Sequence, residues 1–248
     1  MPRRSLSKLQ GKLDLSHYFL PMELDYHDAV DDPETAALAQ PGDGADKVAR
    51  IPYASLSGLT FEEFSERLFG RVAPLELEIG SGKGLFISST ADARRDRNYL
   101  GVEIAYRYAL MSASKLAKRG ATNGVMMAAD AAKVLREVIP LACLDDAHIY
   151  FPDPWWKKAH RKRRIVRPDV VQMIEKRLRK GGRLHFWTDV KEYFDSGVEL
   201  IKLSTNLAGP FPVLERPAAD SMDFRTHFER RTRLNEQPVY RSVFIKRL

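Results

Sequence analysis

The chain has 248 residues, 44% of them apolar and 29% charged, and its 40 Lys and Arg against 33 Asp and Glu give a formal charge of +7. That apolar content supplies a full core and excludes wholesale disorder; with no run of about 18 apolar residues, no membrane span is expected. The single Cys143 excludes a disulfide framework or a thiolate zinc finger and agrees with a reducing, cytoplasmic setting.

The basic start, MPRRSLSKLQGK, lacks the apolar stretch of a secretory signal. Residues 1–58 are expected to form an N-terminal extension, with acidic, Ala-, Pro- and Gly-rich residues 28–47 as a linker that offers little to bury. The main domain is set at 59–248. Thr60 and Glu63 have capping-box spacing, and Phe61, Phe64, Leu68 and Phe69 recur at helical intervals, predicting a helix over about 60–69. An alternating rhythm follows. Strands are predicted at 75–80, 99–104, 124–130, 147–151 and 183–189. Helices are predicted between and after them, at 85–93, 105–119, 131–139, 168–179 (stopped by Gly181 and Gly182) and 191–205. Two further apolar runs, 211–215 and 239–245, close the chain. Strand alternating with helix predicts an α/β fold, a mostly parallel sheet covered on both faces.

Gly80, Gly82 and Gly84 stand directly between a predicted strand and a predicted helix. Glycines there let backbone approach a ligand where a Cβ would collide. Glu78 precedes the loop, Glu103 ends the next strand and Asp130 ends the third. Three acids at successive strand tips would line the carboxyl edge of the sheet, where open α/β sheets bind ligands. A carboxylate suits two ribose hydroxyls, but the set would repel a pyrophosphate. GxGxG meets the dinucleotide pattern only in part, and Gly84 after Lys83 departs from a P-loop. A cationic nucleoside without phosphate fits better, and S-adenosylmethionine is one. Ordinary loop glycines with solvated acids are the alternative.

The segment FPDPWWKKAHRKRRIVRP, 151–168, packs Lys157, Lys158, Arg161, Lys162, Arg163, Arg164 and Arg167 into eleven residues, with His160 among them. Such density suits a facing phosphate backbone; a solvated loop is the alternative. Trp155 and Trp156 either stack on a base or pack on the domain, Trp156 rather the latter. Asp153 lies between two prolines that stiffen its backbone. It is therefore a candidate for handling a base, or else a simple cap.

EIGSGKG, GVE, the FPDPWWKKAHRKRR segment, HFWTD and RTHFERR together resemble bacterial tRNA (guanine-N7)-methyltransferases, over roughly residues 72–248. The FPDPW segment is specific to that family; the glycine loop alone is not. The resemblance implies a Rossmann-like class I methyltransferase fold, S-adenosylmethionine as cofactor, and guanosine 46 of the tRNA variable loop as target. It implies that Glu78, Glu103 and the glycine loop contact the cofactor, that Asp130 lies beside adenine, and that Asp153 is the active-site acid bordering the cofactor. It implies tRNA-substrate roles for Lys157, Asp189, Thr226, His227, Phe228 and Glu229. The chain departs from the family pattern at Trp156 and Val190.

Guanine N7 has a lone pair and no proton, so its methylation needs orientation and electrostatic support rather than a base, and Asp153 is expected to supply these. Asp189 serves either the substrate or the N-terminus of the following helix. The six histidines show no metal-ligand spacing, so no metal is expected. Three alternatives remain at this point: a noncatalytic RNA-binding module, a nucleotide-dependent oxidoreductase and a small-molecule methyltransferase.

Overall fold

The computed structural model describes residues 13–23, 50–156, 163–213, 229, 232, 235 and 237–247. The expected linker, 28–47, lies outside the described residues. In chain order the elements are β1 (Phe19–Pro21), α1 (Phe61–Phe69), β2 (Leu75–Ile79), α2 (Leu85–Ala93), β3 (Asn98–Glu103), α3 (Tyr106–Lys118) and β4 (Gly124–Ala128). They continue with α4 (Ala131–Glu137), β5 (Leu144–Tyr150), α5 (Pro168–Arg177), β6 (Leu178–Thr188), α6 (Lys191–Ser204), β7 (Ala208–Pro212) and β8 (Tyr240–Ile245).

The start of α1 is specified locally. The Glu63 amide donates to Thr60 Oγ1 at 3.2 Å and the Thr60 amide to Glu63 Oε2 at 2.9 Å, a reciprocal capping box. The helix stops at Gly70, which is left-handed.

The described strands form a sheet in the order β1-β4-β3-β2-β5-β6-β8-β7. Pairing is parallel from β1 through β6, and β8 runs antiparallel to both β6 and β7. This is the Rossmann-like α/β architecture expected. Chain order reverses at β2, with β3 on one side and β5 on the other, and such a switch point opens a crevice at the carboxyl edge. Burial on both faces explains why β2 to β5 are buried throughout. Phe64 of α1, Val134 of α4, Val170 of α5 and Ile201 of α6 pack on one face with Leu75, Leu77 and Ile79. Ile87 of α2 and Ala109, Ala113 and Leu116 of α3 pack on the other with Met126.

Two boundaries differ from the sequence expectation. Residues 1–58 are set apart there as an extension, yet Phe19–Pro21 pair with Met126–Ala128, and Met22, Tyr53 and Leu56 are buried in the main core. Three residues ending in proline carry no readable period; contact with β4 makes them a strand. The strand expected from 183 starts at Leu178, directly after α5. Leu178 pairs with Leu144, and a register shift between Leu144 and Asp146 accommodates the glycine pair. A Cβ on Gly182 would stand 2.8 Å from the Leu144 carbonyl.

A buried polar ladder crosses β2, β5 and β6. His185 Nε2 meets Asp146 Oδ1 at 3.0 Å and His148 Nε2 meets Glu76 Oε2 at 3.0 Å. Burial pushes His185 down to about 4, so it is neutral at pH 7. His148 Nδ1 lies 2.9 Å from the Tyr150 hydroxyl. Tyr150 then joins Phe86, Phe151 and Trp187 in an aromatic cluster beneath the crevice.

Candidate active site

β2 runs into the glycine loop, where Gly80, Gly82 and Gly84 have φ of 74°, 51° and 67°. Gly84 is doubly constrained. Its left-handed backbone disfavours a side chain, and a Cβ there would lie 2.4 Å from Ser112 Cβ on α3. Ser112 also donates to the Gly82 carbonyl at 3.0 Å, so α3 fixes the loop from behind. Gly84→Ala is therefore expected to cost about 2–4 kcal/mol of stability, read from denaturant midpoints. A loss below about 0.5 kcal/mol would contradict the close packing.

The three predicted acids converge on this edge in different states. Glu78 is 4% exposed, and its Oε2 is buried without a hydrogen-bond partner among the described residues. Burial, reinforced by Glu103, pushes its carboxyl up to about 8. Glu103 accepts from the Gly82 amide at 2.7 Å and from the Ala105 amide at 2.8 Å. Its pKa is still raised, first by burial and further by nearby Asp153. Asp130 caps α4, its Oδ1 accepting from the Ala132 amide at 2.8 Å.

Asp153 follows β5 in the turn expected to be stiff. The prolines are only part of the reason. Phe151 and Trp155 have φ of 51° and 39°, costly for residues with a Cβ, and such strain persists where the surroundings over-determine it. The Phe151 amide donates to the Trp187 carbonyl at 2.8 Å, anchoring the turn on β6. Asp153 is partly buried, which raises its pKa.

The cationic run divides. Lys157, Lys158, His160, Arg161 and Lys162 lie outside the described residues. Arg163 stands 5.2 Å from the Trp155 ring centre. Arg164, expected to face RNA, turns inward and donates to the Pro154 carbonyl at 2.6 Å. Arg167 binds Asp169 at the start of α5. Trp156 is a rim residue, 52% exposed.

Asp189 does not cap α6. Val190 holds that position without a side-chain bond, and its amide donates to Thr188 Oγ1 at 3.2 Å. The capping alternative therefore falls. Thr226, His227 and Phe228 lie outside the described residues. Glu229 is buried, its Oε1 3.0 Å from Arg241 Nη2, so one carboxylate oxygen is engaged by β8. Among the described residues no group of three or more His, Cys, Asp or Glu is placed to hold a metal, and no helix is long and apolar enough to cross a membrane.

The family model described as "Putative methyltransferase" matches residues 72–242. A tRNA (guanine-N(7)-)-methyltransferase of Rhodopirellula baltica is 49% identical over 189 residues, which are 74% of this chain and 70% of the relative. The chain belongs to the tRNA (guanine-N7-)-methyltransferase family. Another family member, from Cupriavidus pinatubonensis, is 40% identical over 191 residues, covering 73% of this chain and 72% of the relative. The fold is shared more widely. A 16S rRNA (adenine(1408)-N(1))-methyltransferase from Catenulisporales acidiphilia, solved with cosubstrate SAM, aligns with a TM-score of 0.51 at 17% identity, covering 77% of this chain and 93% of that one.

The cofactor of this methyltransferase family is S-adenosylmethionine, and the crevice fits its chemistry. The orphaned Glu78 oxygen suits an ammonium group. Glu103 keeps lone pairs for hydroxyls beyond its two amide bonds. Sequence reasoning missed Ser112 and Tyr193. Ser112 is one serine of a helix face, and Tyr193 reads only as an apolar position of α6.

Proposed function

We propose that this enzyme methylates N7 of guanosine 46 in the variable loop of tRNA. The observation that carries the reading is the placement of Asp153 in the strained turn that leaves β5, at the carboxyl edge where Glu103 ends β3. A base-handling acid then borders the cofactor crevice. S-adenosylmethionine, when bound, supplies an electrophilic methyl group on a sulfonium.

Glu78 holds the ammonium of the donor and Glu103 its ribose hydroxyls, with Gly80, Gly82 and Gly84 shaping the wall between them. Asp130 borders the adenine. Asp153 accepts from the guanine N1–H or amino group and favours the positive charge that the base acquires on methylation. N7 has no proton to lose, so no side chain acts as a base toward it. Lys157, Lys158, Arg161, Lys162 and Arg163 meet phosphates. Asp189, Thr226, His227, Phe228 and Glu229 hold the guanosine.

Incubation with tRNA and S-adenosylmethionine, followed by nucleoside mass spectrometry, is expected to yield 7-methylguanosine. A transcript with adenosine at position 46 is expected to yield none, and catalytic efficiency is expected to fall steeply with salt. Equal methylation of free guanosine, indifferent to salt, would instead mark a small-molecule methyltransferase.

A further inference from the structure

The run after Asp153 contains a cation that is structurally unlike a phosphate contact. Arg164 Nε donates to the Pro154 carbonyl at 2.6 Å and Nη2 reaches the Trp155 carbonyl at 3.4 Å. Its guanidinium lies 5.6 Å from the Trp156 ring centre and 5.3 Å from that of Tyr193. The two rings meet edge to face at 6.5 Å. Tyr193 is buried on α6 and packs edge-on against Phe186 of β6 at 6.0 Å. The bonded carbonyls belong to the two residues that follow Asp153, and Trp155 is one of the two strained positions flanking it.

We infer that Arg164 is a positioning residue, a clamp that fixes the strained Asp153 turn against α6, and not a contact to RNA phosphate. The inference rests on the methyltransferase reading above and deepens it at the same site. A planar fork can bond two neighbouring carbonyls while stacking on aromatic faces; an ammonium is a point charge and does neither well. Left-handed backbone persists only where its surroundings hold it; Phe151 is held by Trp187, and Arg164 holds the Trp155 carbonyl. When the turn relaxes, the Asp153 carboxyl shifts, and a displacement of about 1 Å costs about 10²-fold in rate.

Arg164→Lys separates the two roles, because lysine preserves a phosphate contact but not the clamp. The expected result is a fall in kcat of about 10²-fold, with unchanged donor affinity and an unchanged slope of log(kcat/KM) against log[salt]. Lys158→Ala, by comparison, is expected to flatten that slope by about 0.7–0.9. Tyr193→Leu removes one face of the clamp and is expected to lower kcat in the same direction. Hydrogen exchange at Phe151, Asp153, Trp155 and Trp156 is expected to quicken in both clamp variants. Turnover of Arg164→Lys within threefold of the parent, or a flattened salt slope in Arg164→Gln, overturns the clamp. A joint collapse of melting temperature and donor affinity also overturns it, since Arg164 would then stabilise the fold at large. If the parent itself leaves tRNA unmethylated, the functional reading fails alone, and the exchange rates of 151–156 still decide the role of Arg164.

Discussion

Asp153→Asn is expected to lower kcat by about 10²–10³-fold, the effect of removing one preorganised electrostatic group from a partly dry site, while donor affinity changes less than about threefold. Asparagine keeps the shape and one acceptor oxygen but loses the charge. Asp153 sits in a turn strained at Phe151 and Trp155, beside Glu103 rather than beside Glu78, so the substitution leaves the proposed ammonium site intact. The pH dependence checks the same group. Burial raises the Asp153 pKa, and the ionised form is the one that supports a cationic product. Activity is therefore present above the raised pKa and lost as pH falls through it. In kcat at saturating donor, that acid limb should lie above the ordinary aspartate value in the parent and vanish in the variant, whereas the Glu78-linked fall in donor affinity at low pH should remain in both. Turnover of Asp153→Asn within threefold of the parent across that range would remove Asp153 from the chemistry.

Much of the scaffold was legible because short-range signals and packing agree. The capping box placed α1, and the glycine loop separated β2 from α2 at the residues where they part. Acids at or next to the ends of three successive predicted strands, Glu78, Glu103 and Asp130, located the crevice before any coordinates. What sequence did not disclose depends on contacts made elsewhere. β1 is a strand because β4 offers it an edge. Arg164 is one cation among seven, and only the fold turns it toward the Pro154 carbonyl. Asp189 looks like a helix cap by position, but Thr188 accepts the amide instead. Glu78 was readable as a cofactor acid but not as a protonated one, since its state is set by burial that the chain supplies from α2 and the strands around it.

That state leads to the second large effect. Glu78→Gln is expected to weaken donor binding by about 30–150-fold, the equivalent of about 2–3 kcal/mol for a desolvated charge pair, yet to stabilise the donor-free protein near pH 8. Burial pushes the Glu78 carboxyl up to about 8, whereas a glutamate in the unfolded chain titrates near 4.5. Between those values the folded state holds a proton that the unfolded state has lost, so stability declines as pH rises from about 4.5 toward 8. Glutamine cannot ionise, and its variant should lack this decline. An ammonium group has the opposite preference and favours the carboxylate, so donor binding must expel the proton below pH 8. Titration calorimetry in buffers of different ionisation enthalpy should register close to one proton released near pH 6.5. Affinity should climb by up to tenfold per pH unit toward pH 8 and then level. The two signs oppose each other because a charge kept ready for a ligand is a cost to the empty fold. Proton release that persists in Glu78→Gln would move the linked group to Glu103, whose pKa is also raised; affinity independent of pH in the parent would leave no carboxyl of the crevice facing an ammonium at all.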